Sequence, residues 1–347
     1  MRLHYNKTNC TQLIYSNGTV YPTAINPKMI VDLSGFKDYQ KQDFDEFKLS
    51  LLQDTKRITI HREYALGDLI QLIAAARLIK QRYNIGEIWI VTNERFVTHL
   101  NYCFHDIKFL ESDYLIHGSS EFGFTFTIDG ILERDHSIHN KENAKHRMEI
   151  LLNYFGITEF TKEELDWSLQ LRGEVVMPAI PNDKKIIGIQ MRGSGCMKTL
   201  PRQMVKDMIN ELAKDHYVAL IDQDKDQGFE GKNILNLCGK LQPPQVIELL
   251  RRCSLCLTMD SGVLWMAHVA NCPTLTFLGS TREAERISLH PQYPEKAKCI
   301  DLTKYVGCEP CFETRVRCKG SINCMNKVNH DMISGELLEK VKQILGE

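Results

Sequence analysis

The chain has 347 residues, enough for two domains of ordinary size that each bury a core. Hydrophobic residues make up 43% and charged residues 25%, the composition of a soluble globular protein rather than a disordered or fibrous one. A net charge of −1 supplies no global attraction for nucleic acid and argues against it as a partner, leaving room only for a local basic groove.

No run approaches the roughly 18 uncharged apolar residues of a membrane span. The start, Met1-Arg-Leu-His-Tyr-Asn-Lys-Thr-Asn9, lacks the apolar segment of a secretory signal, so a cytoplasmic location is expected. The N-x-S/T sequons at Asn6, Asn9 and Asn17 then read as coincidental. A disulfide framework for the twelve cysteines would need an oxidising compartment.

Residues 1–55 read as a small β-rich extension: Gln12-Leu-Ile-Tyr15, a turn at Asn17-Gly18, then Thr19-Val-Tyr21, with a polar helical stretch from Tyr39 to Gln53. The first α/β domain, 56–178, opens on a strand at Arg57–His61. It turns at Tyr64-Ala-Leu-Gly-Asp68 into a helix over Leu69–Tyr83, whose apolar residues recur at three- and four-residue spacing. Strands follow at Glu87–Thr92 and Phe124–Asp129, then a polar loop over Glu133–Lys145 and a helix over His146–Phe155 that ends at Gly156. Val176–Lys184 has the Pro-rich, polar character of a linker.

The second domain, 179–330, opens on a strand at Lys185–Gln190, followed by a helix at Arg202–Lys214, a strand at Tyr217–Asp222 and a helix at Pro243–Arg252. A short apolar strand from Leu255 ends at Asp260, and Ser261-Gly262 turn it into a helix over Val263–Ala270. A second buried strand then delivers Gly279, Ser280 and Thr281 to the same sheet edge. Residues 331–347 form a C-terminal helix. Alternating strands and helices in two halves predict an α/β protein of two Rossmann-like domains facing a cleft.

Open α/β sheets bind ligands beyond the carboxyl ends of their strands, and a helix N-terminus there suits a phosphate. Asp260, Ser261 and Gly262 are therefore candidate phosphate-site residues. Arg192-Gly-Ser-Gly-Cys-Met-Lys198 follows the first strand of the same domain, and Arg192, Ser194 and Lys198 suit a diphosphate: loop N–H groups approach the oxygens while the cations neutralise them. The loop lacks the G-x-x-x-x-G-K-[ST] spacing of a P-loop, and a solvated basic loop is the alternative. Asp68 lies at the equivalent turn of the first domain. A carboxylate at a helix N-terminus is favoured as the anion, so Asp68 is either a proton acceptor or a helix cap.

Cys308, Cys311, Cys318 and Cys324 place four thiols in a short Gly- and cation-rich segment. They could close a tetrahedral shell around a structural Zn or Fe, with Cys299 as a further candidate ligand, or remain free or redox-active. Cys253 and Cys256 form a C-x-x-C at a helix end and in an apolar strand, and read as core residues. His136, His139 and His146 raise a metal or base reading, against which a solvated polar loop is favoured.

Several pieces, in chain order, resemble glycosyltransferase family 9, the ADP-heptose:lipopolysaccharide heptosyltransferases, over residues 57–340. They are Ala65-Leu-Gly-Asp68, His146-Arg-Met-Glu-Ile-Leu-Leu-Asn-Tyr-Phe-Gly156, Lys198-Thr-Leu-Pro201 and Leu237-Cys-Gly-Lys240. Then come Asp260-Ser-Gly262, Phe277-Leu-Gly-Ser-Thr281, and Cys308-Glu-Pro-Cys311 with Cys318 and Cys324-Met325. The resemblance implies a GT-B fold and inverting transfer without a cofactor for the chemistry. The donor, a nucleotide-diphosphate sugar such as ADP-heptose, would bind in the C-terminal domain, and a protein or glycan acceptor on the N-terminal one. Asp68 would deprotonate the acceptor hydroxyl, and Arg192, Lys198 and the helix at Ser261-Gly262 would stabilise the leaving diphosphate. Asp222 and Asp224 would then lie near the donor's base or ribose, or be plain strand-end residues.

The family commonly has a His three residues after the Gly of its D-S-G motif, where this chain has Trp265. Trp265-Met-Ala267 is closer to the autotransporter (protein) heptosyltransferase branch, which also carries a Cys-based metal finger, matched here to 299–325. The change removes support for a lipopolysaccharide acceptor and leaves heptose as one candidate sugar. His268 shares a helix face with Trp265 but is not assigned the missing role. The rival readings are a GT-B sugar-nucleotide epimerase or hydrolase, a non-catalytic metal-stapled binding protein, and a transferase acting on modified nucleic acid, which the near-neutral charge disfavours.

Overall fold

The computed structural model describes residues 13–16, 19–22, 49, 52–112, 124–129, 131–134, 145–181, 183–193, 195–225, 228–311 and 324–347. Strands β1 (Leu13–Ser16) and β2 (Thr19–Pro22) pair antiparallel, Ser16 opposite Thr19, as the Asn17-Gly18 turn predicts. The expected helix at Tyr39–Gln53 lies largely outside the described residues. The chain divides into two compact units, and the β1–β2 pair belongs to the first.

The first unit holds β3 (Arg57–His61), α1 (Leu66–Arg82), β4 (Glu87–Thr92), α2 (Glu94–Cys103), β5 (Lys108–Glu111), β6 (Phe124–Thr127) and α3 (Arg147–Tyr154). Its four strands are parallel in the order β5-β4-β3-β6. In chain rank this is 3-2-1-4, so the strand order reverses between β3 and β6, where open α/β sheets leave a crevice. Helix α1 starts three residues earlier than the periodicity predicts, its N-cap at Ala65. It is buried on nearly all sides from Gly67 to Ile79, which its run of Leu, Ile and Ala allows. Helix α2 and strand β5 have no counterpart in the sequence reading. Only Leu100 and Cys103 of α2 are buried, and β5 is an edge strand with one buried residue, so neither carries a strong apolar period. The polar segment 133–145, expected as a loop, begins inside a helical turn at Ile131–Arg134.

The second unit contains β7 (Ile186–Gln190), α4 (Arg202–Leu212), β8 (Tyr217–Leu220), β9 (Ile234–Asn236), α5 (Pro243–Arg252), β10 (Leu255–Met259), α6 (Gly262–Val269), β11 (Thr274–Leu278), β12 (Ala297–Asp301) and α7 (His330–Leu345). Its six strands are parallel in the order β12-β11-β10-β7-β8-β9, chain rank 6-5-4-1-2-3, with the reversal between β7 and β10. Every residue of β7, β10 and β11 is buried, as continuous apolar runs covered on both faces require. Helix α7 returns to the same core through Ile333, Leu337, Val341 and Ile344, one face at helical spacing. Among the described residues no helix is long and apolar enough to cross a membrane.

Candidate active site

In the second unit the reversal point is assembled from four chain segments. Strand β7 ends at Gln190, and the next residues fold into a closed loop. Arg192 and Thr199 bridge antiparallel, Gly193 N–H donates to Lys198 O at 2.7 Å, and Lys198 N–H donates to Gly195 O at 3.0 Å. Gly193 is required there, because a Cβ would meet Lys198 Cβ at 2.5 Å. Ser194 lies outside the described residues. At the end of β10, Ser261 is the N-cap of α6: its Oγ accepts from Val263 N–H at 3.2 Å and donates to Gln190 Oε1 at 2.8 Å. Thr258 donates to the same Gln190 oxygen at 3.0 Å. Gln190 therefore ties β7, β10 and the start of α6 together.

Asp260 does not offer its carboxylate to solvent; it is 6% exposed. Its Oδ2 lies 3.2 Å from Lys198 Nζ and 2.7 Å from Arg286 Nε, and accepts the Thr281 hydroxyl at 3.1 Å. Arg192 pairs with Asp222 at 2.7 Å, and Asp222 also accepts the Asp224 N–H, which makes a turn of the strand end. Gly279, at the end of β11, approaches Met197 so closely that a Cβ would lie 2.7 Å from its carbonyl oxygen. Lys198 and Arg286 thus meet the Asp260 carboxylate beside a capped helix N-terminus, the kind of end that suits an anion.

In the first unit Asp68 sits in the first turn of α1, but its carboxylate is not the N-cap. It is buried between two guanidinium groups, Arg62 on Oδ2 and Arg147 on Oδ1. Arg62 also lies 3.4 Å from Asp129, which accepts the Glu63 N–H. Burial alone would raise the Glu63 carboxyl, but hydrogen bonds from Ser112, Asn93 and His61 outweigh it and hold it below its ordinary value. Arg62, Arg147, Gln190 and Arg286 escaped the sequence reading, whereas Thr281 was expected at this sheet edge. Arg147 follows His146 in a motif already noted, so a signal existed; Arg286 reads as an exposed helix residue and gave none.

His146 corrects the expectation of a solvated loop. It is fully buried, edge-on to Trp265 at 5.7 Å, with Nε2 3.4 Å from Arg286 O. An aromatic side chain gains more from that packing than from solvation. His136 and His139 lie outside the described residues. Trp265 is 3% exposed and stacks on Trp167, ring centroids 6.4 Å apart. His268 hydrogen-bonds Leu264 O through Nδ1 at 2.9 Å, and burial pushes its pKa down to about 4, so it is neutral at pH 7.

Of the cysteine cluster, Cys308 is exposed, Cys311 and Cys324 are half-buried, and Cys318 lies outside the described residues. Cys311 Sγ is 3.3 Å from Met197 Sδ. Among the described residues no group of three or more His, Cys, Asp or Glu is arranged to hold a metal ion. Cys299, the further candidate ligand, is buried in β12, donates to Glu283 at 3.4 Å, and burial pushes its thiol up to about 12. Cys253 and Cys256 are core residues as expected, their thiols pushed up by burial.

Parallel sheets of Rossmann strand order define a doubly wound α/β protein. The family model for glycosyltransferase family 9 (heptosyltransferase) matches residues 134–321, more than half of the chain. The chain belongs to glycosyltransferase family 9, and it is a glycosyltransferase. The fold is that of the glycosyltransferase family 9 protein from Veillonella parvula DSM 2008 (14% identity, 85% of this chain and 98% of that one, TM-score 0.56). It is also that of the iron-containing dodecameric glycosyltransferase TibC from enterotoxigenic E. coli H10407 (16%, 84% and 77%, 0.58). The E. coli ADP-heptose lps heptosyltransferase II is similar too (16%, 84% and 98%, 0.56). A search of curated protein sequences found no significant match.

Proposed function

We propose that this enzyme is an inverting transferase that moves a heptose from ADP-heptose to a hydroxyl of a protein or glycan. The observation that carries the reading is the reversal point of the second unit, where Lys198, Arg286 and the Ser261-capped N-terminus of α6 converge around Asp260. The donor's diphosphate binds there, against Arg192, Ser194, Lys198, Asp260, Ser261 and Gly262, in a donor domain spanning 179–330. The acceptor binds to the domain spanning 56–178, preceded by the extension 1–55.

Asp68 accepts the proton of the acceptor hydroxyl as that oxygen bonds to the anomeric carbon. The bond from that carbon to the diphosphate breaks, and the nucleoside diphosphate leaves with the electron pair. The cations and the helix N-terminus stabilise the charge it gains, which is where fixed donors contribute most. Arg62 and Arg147 orient the Asp68 carboxylate. Support for heptose comes from two similar proteins: TibC, an iron-containing heptosyltransferase solved with ADP-D-beta-D-heptose, and the lps heptosyltransferase II. TibC, being iron-containing, also supports a metal, Fe or by the same thiolate chemistry Zn, on Cys308, Cys311, Cys318 and Cys324 within the finger 299–325.

The test is direct. The protein is incubated with ADP-heptose and, separately, with other nucleotide sugars, and nucleoside diphosphate release is followed with protein and glycan acceptors. Acceptor-dependent ADP release supports the reading; release only from another nucleotide sugar overturns the heptose assignment.

A further inference from the structure

Residues 192–199 are tied to one another by backbone hydrogen bonds, but among their described side chains only Met197 is buried, at 5% exposure. Met197 lies in the turn Cys196–Lys198, one residue before the lysine of the proposed donor site. That turn packs against a second one, Cys324–Lys327, which belongs to the C-terminal cysteine segment. Met325 of the second turn is 1% exposed and joins the core shared by β10, β11 and α7. The two turns meet at Gly279, at the end of β11. A Cβ on Gly279 would lie 2.7 Å from Met197 O, 3.0 Å from Met325 Sδ and 3.3 Å from Met325 Cε. Cys311, from the same cysteine segment, brings its Sγ to 3.3 Å from Met197 Sδ.

Backbone bonds within a loop hold its shape, whereas its place against the sheet depends on what packs beneath it. Met197 is the buried anchor of this loop, and the cysteine segment supplies the floor it rests on. A close-packed interior passes on a change of even one methylene, and an unbranched thioether fills the irregular gap between two turns and a strand end. We propose that Met325 is a positioning residue for glycosyl transfer: by bracing the Cys196–Lys198 turn against Gly279, it fixes where Lys198 stands at the donor diphosphate. Met325 touches neither substrate; it acts through the turn that carries Met197 and Lys198. The inference rests on the donor-site reading above and gives the cysteine segment a part in donor binding.

The experiment is a packing cycle read by calorimetric titration with ADP, GDP, UDP and CDP, together with kcat and KM for turnover, on samples of equal metal content by elemental analysis. Met325→Ala hollows the floor of the turn, and binding of the preferred diphosphate should weaken roughly threefold to thirtyfold, a share of what one charge-assisted contact is worth. KM for the nucleotide sugar should rise by the same factor. Met325→Leu nearly conserves volume and should bind like wild type. Leu337→Ala, a cavity on α7 in the same core, should lower the melting temperature but leave affinity per folded molecule unchanged. In a Lys198→Ala background, Met325→Ala should change affinity by no more than about twofold, because residues acting through one another are non-additive. If Met325→Ala does not fold, Met325→Val takes its place in every comparison. A folded Met325 truncation that binds like wild type, a Leu337→Ala that weakens binding equally, or a full further loss in the Lys198→Ala background overturns the inference while the donor site stands. A wild-type protein that binds none of the four diphosphates overturns the donor-site reading and the inference together.

Discussion

Ser261 caps α6 and donates its hydroxyl to Gln190 Oε1 at 2.8 Å, which fastens the helix N-terminus to the last residue of β7. The two strands that flank the reversal of sheet order are thereby locked at the point where a diphosphate would sit. A Ser261→Ala variant loses both bonds. It should cost about 1 kcal/mol of stability, the usual worth of an N-cap, and weaken nucleoside diphosphate binding because the N–H groups of α6 lose their fixed aim. Thermal melts and ADP titration of the same sample check both; a lower melting point with unchanged affinity would confine Ser261 to capping.

Lys198 is the cation that the proposed donor site places on the diphosphate. Lys198→Ala removes a charge-assisted contact, and nucleotide-sugar affinity should fall by about 1.5–3 kcal/mol, with slower turnover. Calorimetry showing wild-type affinity would remove the loop from the phosphate site.

Asp68→Asn should reduce turnover by roughly 10²–10⁴-fold, the contribution of a positioned base, with donor affinity retained. It also removes the Asp68 charge from Arg62 and Arg147, 5% exposed and half-buried, so the melting temperature should fall as well. The two effects are separable. An equally unstable variant at Arg147 that keeps its turnover per folded molecule, beside an inactive Asp68→Asn, assigns the loss to chemistry. Asp68→Asn that melts early yet turns over normally would reduce Asp68 to a structural ion-pair partner.

His268 makes a pH prediction. Its folded-state pKa is lowered from 6.5 to about 4, so between those values the unfolded chain binds a proton that the folded chain refuses. Stability from this group is therefore complete above pH 6.5 and lost as pH falls toward 4, on the order of 3 kcal/mol in all. Melts of wild type and His268→Gln from pH 4 to 8 should diverge in that sense; parallel curves would show that His268 does not control acid sensitivity.

The cysteines divide by burial. Cys103, Cys253 and Cys299 have thiols pushed up to about 12, and burial also raises Cys256 and Cys272 well above the ordinary value, so none should react with a disulfide reagent at pH 8 until the protein unfolds. Cys308 is exposed, and should react in the native, metal-free protein and be protected in metal-loaded protein. About one Zn or Fe per chain by elemental analysis, lost together with thermal stability on chelation, is the expected companion result. Metal-free protein that melts unchanged and reacts at Cys308, Cys311, Cys318 and Cys324 would dismiss the metal.

What the chain reveals unaided is local. The buried parallel strands β7, β10 and β11 are legible because five consecutive apolar-compatible residues between Gly, Pro and polar turns have few other uses. The turns that carry Asp68, Lys198 and Asp260 are legible for the same reason, since each interrupts such a pattern. The strands that escaped notice, β5, β9 and β12, are all at sheet edges, where half-covered positions dilute the apolar signal. Only the tertiary structure decided the partners of the charges. Arg147 reaches Asp68 across 79 positions, and Arg286 enters the core to meet Asp260 from a turn that reads as exposed. The reason is physical: a strand or helix is declared by its neighbours in sequence, whereas the burial of a charge and the ion that compensates it depend on packing between segments that no local pattern records.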